Sequence, residues 1–334
     1  MPAPTAATPP RAILWGDSGS PRRAVAYTAA DLADAVAARL PGGRVETLVP
    51  DDIPIAIVER GWLVPLGRDR LARLQALVLL APTDEERAEA VQALAGHDGA
   101  RLTVIPAPST IAAAEHTLLL MLAVTRRLLH GYSAIVTGQR HPVRRTAPGN
   151  PLSAPNWAGL PDPPLLSGRT LGIIGLGDVG QAVASRARAL DMTVVYTDRH
   201  RRRLAEARDG LLPRRLDALL READVVSLHL PLTPETERII DAPELALMKP
   251  DAILINTAHG RLIDEGALVK ALAQGAIGGA GLDVFAYEPL PTDSPLLRLD
   301  NVVLTPHVAG LTPDTARELA ARRLADALRR LVDL

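Results

Sequence analysis

The segment Gly172-Ile-Ile-Gly175-Leu-Gly177-Asp-Val-Gly180 constrains this chain more than any other. It follows an apolar run and opens an amphipathic one, so it marks a strand turning into a helix. A glycine at 175 makes the tight turn, one at 177 lets the backbone approach a pyrophosphate, and one at 180 lets helix and strand pack closely. The helix start adds N–H groups and a partial positive charge for the phosphates. Gly175, Leu176, Gly177, Asp178, Val179 and Gly180 are therefore candidate dinucleotide contacts. The next apolar run, Thr193-Val-Val-Tyr196, leads to Asp198, 18 residues beyond Gly180, where a carboxylate can receive a ribose 2′-hydroxyl. That carboxylate favours NAD. Arg199, Arg201, Arg202 and Arg203 follow at once, so NADP stays open; the other reading of the cluster is a solvated basic helix start.

A length of 334 residues suggests two domains. The pattern before residue 111 alternates strand and helix: strands at Arg11–Trp15, Val45–Val49, Leu77–Leu80 and Leu102–Ile105, helices at Asp31–Leu40 and Glu85–Ala95, and a helical turn at Leu71–Leu74. Ile111–His130 reads as one long helix. The stretch from Gly138 to Gly168 reads as a loop-rich connection, because prolines and glycines crowd it. Alternation restarts at Arg169–Ile174 and runs through Asp178–Leu190, Thr193–Tyr196, Leu216–Ala223, Val225–Leu228, Pro243–Met248, Ala252–Asn256, Asp264–Gln274, Gly278–Leu282 and Val302–Leu304. Thr312–Leu334 reads as a last helix, capped by Thr312 or by a Thr315/Glu318 box. Such alternation predicts an α/β chain with parallel sheets in both domains.

Composition narrows the function. With 37 basic and 38 acidic residues, the chain offers no general field for nucleic acid or an anionic membrane. The sequence has no cysteine, which excludes disulfides and thiol catalysis. No HExxH pattern occurs, so no metal is expected. Met1–Pro10 lacks the apolar core of a secretory signal and reads as a frayed tail. The densest apolar run, Leu118–Val124, is far short of the ~20 residues that span a bilayer. A soluble cytoplasmic protein acting on a small molecule is the expectation.

From Leu166 to Gly310 the chain carries a series of blocks in one order: Leu166-Ser-Gly-Arg-Thr-Leu-Gly172, Ala223-Asp-Val-Val-Ser-Leu-His-Leu-Pro-Leu-Thr-Pro-Glu-Thr236, Met248-Lys-Pro250, Asn256-Thr-Ala-His-Gly260, Gly281-Leu-Asp-Val-Phe285, Glu288-Pro289 and Thr305-Pro-His-Val-Ala309. In these it resembles the D-isomer-specific 2-hydroxyacid dehydrogenases. The resemblance implies a doubly wound dinucleotide-binding domain at 112–306, inserted into a discontinuous substrate domain made of 1–111 and 307–334. The two sheets would be Rossmann-like and flavodoxin-like. It implies a homodimer formed through the cofactor domain. It implies His307 as proton donor in ketone reduction and base in alcohol oxidation, held by Glu288; an imidazole titrates where such a proton is needed. It also implies that Asp283 contacts the nicotinamide carboxamide, and that His229, Pro231, Thr257, Ala258 and Gly310 lie along the cofactor. Glu115 and His116 read as structural or interdomain residues.

The resemblance breaks at one catalytic position. The family has an arginine where this chain has His259, and that arginine clamps the substrate carboxylate with a planar, always-charged fork. The glycine-rich turn that also grips the carboxylate is replaced by Ala81-Pro82-Thr83, and Pro82 lacks an N–H. Three readings stand at this point. The substrate is still a 2-oxo or 2-hydroxy acid, with His259, Arg261, Pro82 and Thr83 around it. Or the substrate is another carbonyl or alcohol that needs no carboxylate fork. Or the chain binds the dinucleotide without turnover, as a sensor.

Overall fold

The computed structural model describes residues 12–15, 45–46, 55–59, 76–80, 84–94, 101–137, 162–312, 322–324 and 326–327. The expected helices at Asp31–Leu40 and Leu71–Leu74, the tail Met1–Pro10, the turn at Pro82 and Thr83, residues 138–161 and the caps at Thr315/Glu318 lie outside them. The chain packs as two units, Met1–Ile111 with Leu311–Leu334, and Ala112–Gly310.

The first unit contains β1 (Ala12–Trp15), β2 (Val45–Glu46), β3 (Ile55–Glu59), β4 (Ala76–Leu80), α1 (Asp84–Leu94) and β5 (Arg101–Ile105). All its strand pairs are parallel, in the order β2-β1-β3-β4-β5. That is the flavodoxin-like winding. Every residue of β4 is buried, as a central parallel strand covered on both faces requires. β3 was not anticipated: Ile-Ala-Ile-Val is a short apolar run with no alternation to reveal it.

In the second unit, α2 (Pro108–Thr125, beginning in the first) and α3 (Leu128–Val136) precede β6 (Thr170–Ile174), α4 (Asp178–Arg188) and β7 (Thr193–Thr197). Then come α5 (Arg203–Asp209), β8 (Leu212–Pro213), α6 (Leu216–Glu222), β9 (Val225–Leu228), α7 (Ala242–Leu245), β10 (Ile253–Asn256), α8 (Glu265–Ala273), β11 (Gly279–Leu282) and β12 (Val302–Leu304). The seven strands are parallel in the order β12-β11-β10-β9-β6-β7-β8. The order reverses between β6 and β9, and ligands of open parallel sheets bind beyond the strand ends at such a point. One core cluster lies around Leu219, Val226, Leu254 and Leu282. The other lies around Leu120, Leu171, Ile173 and Tyr196.

The single helix expected over Ile111–His130 is two helices. Arg127 adopts a left-handed conformation with φ 51°, which ends one helix and turns the chain into the next. α2 is long and apolar enough to cross a membrane, but more than half of it is buried inside the protein, as in a core helix. The short β8 carries no sequence signal, whereas α5 begins at Arg203, the last of the arginines that also read as a helix start.

The β6–α4 junction admits little change. A Cβ on Gly180 would lie 2.2 Å from the Gly175 carbonyl oxygen. Gly180→Ala is expected to cost about 1–3 kcal/mol by overpacking, read by chemical denaturation. Wild-type stability in the variant would contradict this packing.

Candidate active site

The dinucleotide turn is built by β6 and α4. Gly175 has φ 95°, and a Cβ there would meet the His229 carbonyl oxygen at 2.7 Å, so only glycine fits. Its N–H donates to the Thr197 carbonyl at 2.9 Å. Gly177 occupies the N-cap position of α4 with no side chain, and the space a Cβ would fill is open to 4 Å. These observations fit a dinucleotide: the backbone of Gly175–Gly180 can face a pyrophosphate, with the helix start behind it.

Asp198 closes the far side. Its Oδ2 accepts the Leu176 N–H at 2.8 Å and its Oδ1 accepts the His200 N–H at 2.8 Å. Arg202 lies 3.8 Å from it. Arg201 is committed to Glu206, and this hydrogen-bonded pairing holds the Glu206 carboxyl below its ordinary range. Arg199 is exposed. Tyr196 steadies the segment, donating to Glu206 at 2.6 Å and accepting the Arg202 N–H at 3.0 Å.

The residues expected along the cofactor follow from neighbouring strand ends. His229, just after β9, is held by Ser227 at 2.9 Å, and burial pushes its pKa down to about 3. Its ring is therefore neutral at physiological pH. The Pro231 carbonyl accepts from Thr236. Thr257 shares a 2.8 Å hydroxyl contact with Thr117 of α2, and the Ala258 N–H donates to Asn256 Oδ1. Gly310 is exposed, with open space around it.

His307 and Glu288 come together. His307 Nδ1 lies 2.6 Å from Glu288 Oε2, and the Phe285 N–H donates to Oε1 at 3.0 Å. Burial pushes the Glu288 carboxyl up, but the His307 and Phe285 hydrogen bonds, with the charges of His307 and His259, outweigh it and hold the net pKa below the ordinary value. Glu288 is therefore an acceptor, Nδ1 donates to it, and Nε2 is the ring atom left to exchange a proton with a substrate. An apolar cavity of about 590 Å³ opens beside the pair, walled by Pro289, Leu290, Leu297 and Leu304.

His307 has φ 53°, a left-handed conformation that costs energy in a residue with a side chain. Asp283, at the end of β11, enforces it. The Asp283 carbonyl accepts the His307 N–H at 2.9 Å. Its carboxylate accepts the Val308 N–H at 3.0 Å, the Ala309 N–H at 2.8 Å and the Thr305 hydroxyl at 2.6 Å. Asp283 has no exposed surface. The residue expected at the carboxamide thus also braces the turn that carries His307. These bonds also tie His307 to the Ala112–Gly310 unit.

His259 is exposed, follows β10, and accepts the Arg261 N–H at 3.4 Å. Its backbone is fixed by Asn256, whose side chain donates to the His259 carbonyl at 2.8 Å. Gly260 is required beside it, since a Cβ would collide with the Phe285 carbonyl. Arg261 faces elsewhere: its guanidinium donates to Glu237 at 2.6 Å. The brace formed by Thr305 and His116 under Asp283 was missed, and the Ala-Glu-His run gives no sign of it. Among the described residues, no group of three His, Asp or Glu side chains could hold a metal ion.

The family profile described as D-isomer specific 2-hydroxyacid dehydrogenase, NAD binding domain, matches residues 118–309. A glyoxylate reductase of Thermofilum pendens is 43% identical over 238 residues, 69% of this chain and 66% of that protein. The chain thus spans just under two thirds of that relative's length. A solved D-lactate dehydrogenase from Aquifex aeolicus, in complex with NAD and lactic acid, is 26% identical with a TM-score of 0.54, covering 97% of this chain and 96% of the other. A solved acyclic imino acid reductase, in complex with NADPH and D-Arg, is 27% identical with a TM-score of 0.53, covering 96% and 95%.

The lowered Glu288 pKa sets a pH signature. A depressed carboxyl contributes stability above its unfolded pKa and loses it as pH falls through the folded value. The stability difference between wild type and Glu288→Gln should be largest above pH about 4.5 and shrink in more acidic buffer, as paired thermal melts would show. A difference that grows on acidification would contradict the pairing.

Proposed function

Because the chain belongs to the D-isomer specific 2-hydroxyacid dehydrogenase family, we propose that it is an NAD(P)-dependent oxidoreductase that interconverts a small 2-oxo acid and its 2-hydroxy acid. The observation that carries this reading is the 2.6 Å contact between His307 and Glu288 in the unit that bears the glycine turn. When bound, the nicotinamide supplies or accepts the hydride. In the reductive direction the carbonyl oxygen gains negative charge and takes the proton from His307 Nε2. In the oxidative direction neutral His307 takes the hydroxyl proton. Glu288 fixes the tautomer and ring orientation by accepting at Nδ1. Gly175–Gly180 would hold the pyrophosphate and Asp198 the adenosine ribose, which favours NAD; exposed Arg199 keeps NADP within reach. His229, Pro231, Thr257, Ala258 and Gly310 would border the cofactor.

A second reading rests on His259. Arg261 is bound to Glu237, so it does not replace the missing guanidinium without breaking that pair. A histidine grips a carboxylate less well, and the cavity beside His307 is apolar. Both features suit a carbonyl substrate with an apolar substituent and no carboxylate. A binder without turnover is disfavoured, because such a protein has no use for an aligned proton donor.

NADH consumption with a panel of 2-oxo acids, aldehydes and ketones separates the readings. The first expects turnover of 2-oxo acids, a rise in kcat/KM on them in His259→Arg, and a loss of about 10²–10⁴ in kcat in His307→Gln. Turnover confined to ketones or aldehydes would favour the second. Tight NADH binding with no turnover would support the sensor.

We also propose a soluble cytoplasmic homodimer joined through α2 and α3. Leu128, Leu129, Tyr132, Ile135 and Val136 place exposed apolar surface along α3, with Tyr132 and Ile135 each 65% exposed. A contiguous apolar patch of this kind marks an interaction surface. Tyr132→Asp with Ile135→Asp should convert a dimer to a monomer in sedimentation. A wild-type monomer at micromolar concentration would overturn the assignment.

A further inference from the structure

Asp283 is the buried support of the turn that presents His307, and one titratable side chain resting on it takes no part in the chemistry above. His116, in α2, has its Nε2 2.9 Å from Thr305 Oγ1 and 3.4 Å from Asp283 Oδ1. Its side chain is only 14% exposed. Thr305 donates to Asp283 Oδ1 at 2.6 Å. A hydroxyl has a single proton, so Thr305 meets His116 as an acceptor and His116 carries hydrogen on Nε2. The bonds therefore run one way, from His116 through Thr305 to Asp283. From there Asp283 takes the N–H groups of His307, Val308 and Ala309.

We infer that His116 is a positioning residue for His307, acting through Thr305 and Asp283. The inference rests on the reading of His307 as the proton donor. A side-chain-bearing residue stays in a left-handed conformation only where its surroundings over-determine it. His116 supplies that excess from a helix 189 residues away in sequence. Without its N–H, the Thr305 hydroxyl is free to turn. The buried Asp283 carboxylate then loses the donor that fixes its rotamer, and with it the grip on Val308 and Ala309. Glu115, next in sequence, points to Arg186 instead, 3.7 Å away. It is no part of the relay.

The test compares His116→Leu, His116→Gln, Thr305→Val and the His116→Leu/Thr305→Val double variant. The readouts are kcat and the KM for NADH, and the pH titration of the His307 ring signal by NMR in the cofactor-free protein. His116→Leu and Thr305→Val are expected to lower kcat about tenfold or more, since small misplacements of a reacting group are costly. The KM for NADH should stay within about twofold of wild type, because the glycine turn is untouched. The His307 titration should move. His116→Gln, which restores an N–H donor, should recover most of kcat and the titration. The double variant should be no worse than the poorer single variant, because both break one relay.

Wild-type kcat and titration in His116→Leu, multiplicative losses in the double variant, or equal damage from Leu and Gln would each overturn the inference. If His116→Leu fails to fold, Thr305→Val and His116→Gln decide by the same criteria. The parallel His307→Gln variant separates the two claims. If it retains activity, the reading of His307 as proton donor fails, while the NMR response to His116→Leu still judges the relay.

Discussion

The second unit hangs on one buried carboxylate. Asp283 directly follows β11 and has no exposed surface, so an unpaired charge there would be costly. It is tolerated because every bond it accepts is charge-assisted and each comes from the segment it must shape. The result is a short stretch after β12 held in a conformation its sequence would not choose. His307, at φ 53°, is the residue that pays for this geometry. A residue held so firmly can present its ring to Glu288 from a loop, where positioning is usually less exact than on a strand or helix.

The parallel topology brings the parts together. Strand ends of one sheet edge carry the glycine turn after β6, Asp198 after β7, His229 after β9, the Asn256–Gly260 turn after β10 and Asp283 at β11. None of these residues is near another in sequence except within its own turn. The winding order alone places the glycine turn at the switch point. It sets the hydrogen-bonded His307–Glu288 couple on the β11–β12 side. Polar atoms in these turns are largely spoken for by neighbours: Asn256 fixes His259, Thr117 fixes Thr257, and Ser227 fixes His229. Such cross-bracing is what keeps a strand-end loop in one arrangement.

Much of this was legible in the residues. The glycine spacing, the acid after the second strand and the ordered blocks from Leu166 to Gly310 announce the dinucleotide unit and the His307–Glu288 pair. Local pattern reads such features because their chemistry is local: a turn, a cap, a strand end. Other features were hidden for physical reasons. β3 is too short and uniformly apolar to show a period. The break at Arg127 depends on a backbone conformation that no residue type there demands. His116 meets Thr305 across the fold, and a lone histidine on a helix carries no mark of a distant partner. Arg261 lies two residues from His259, but its guanidinium is bound to Glu237, a partner 24 residues away that no local pattern reveals.

The account stands or falls on where a carbonyl oxygen meets this protein. A crystal structure with NADH and oxamate, a 2-oxo acid analogue, tests that directly. The account predicts the pyrophosphate over Gly175–Gly180 and the oxamate keto-type oxygen about 2.6–3.2 Å from His307 Nε2, with Nδ1 still on Glu288. A complex in which another donor holds that oxygen while the His307 ring faces away would contradict it.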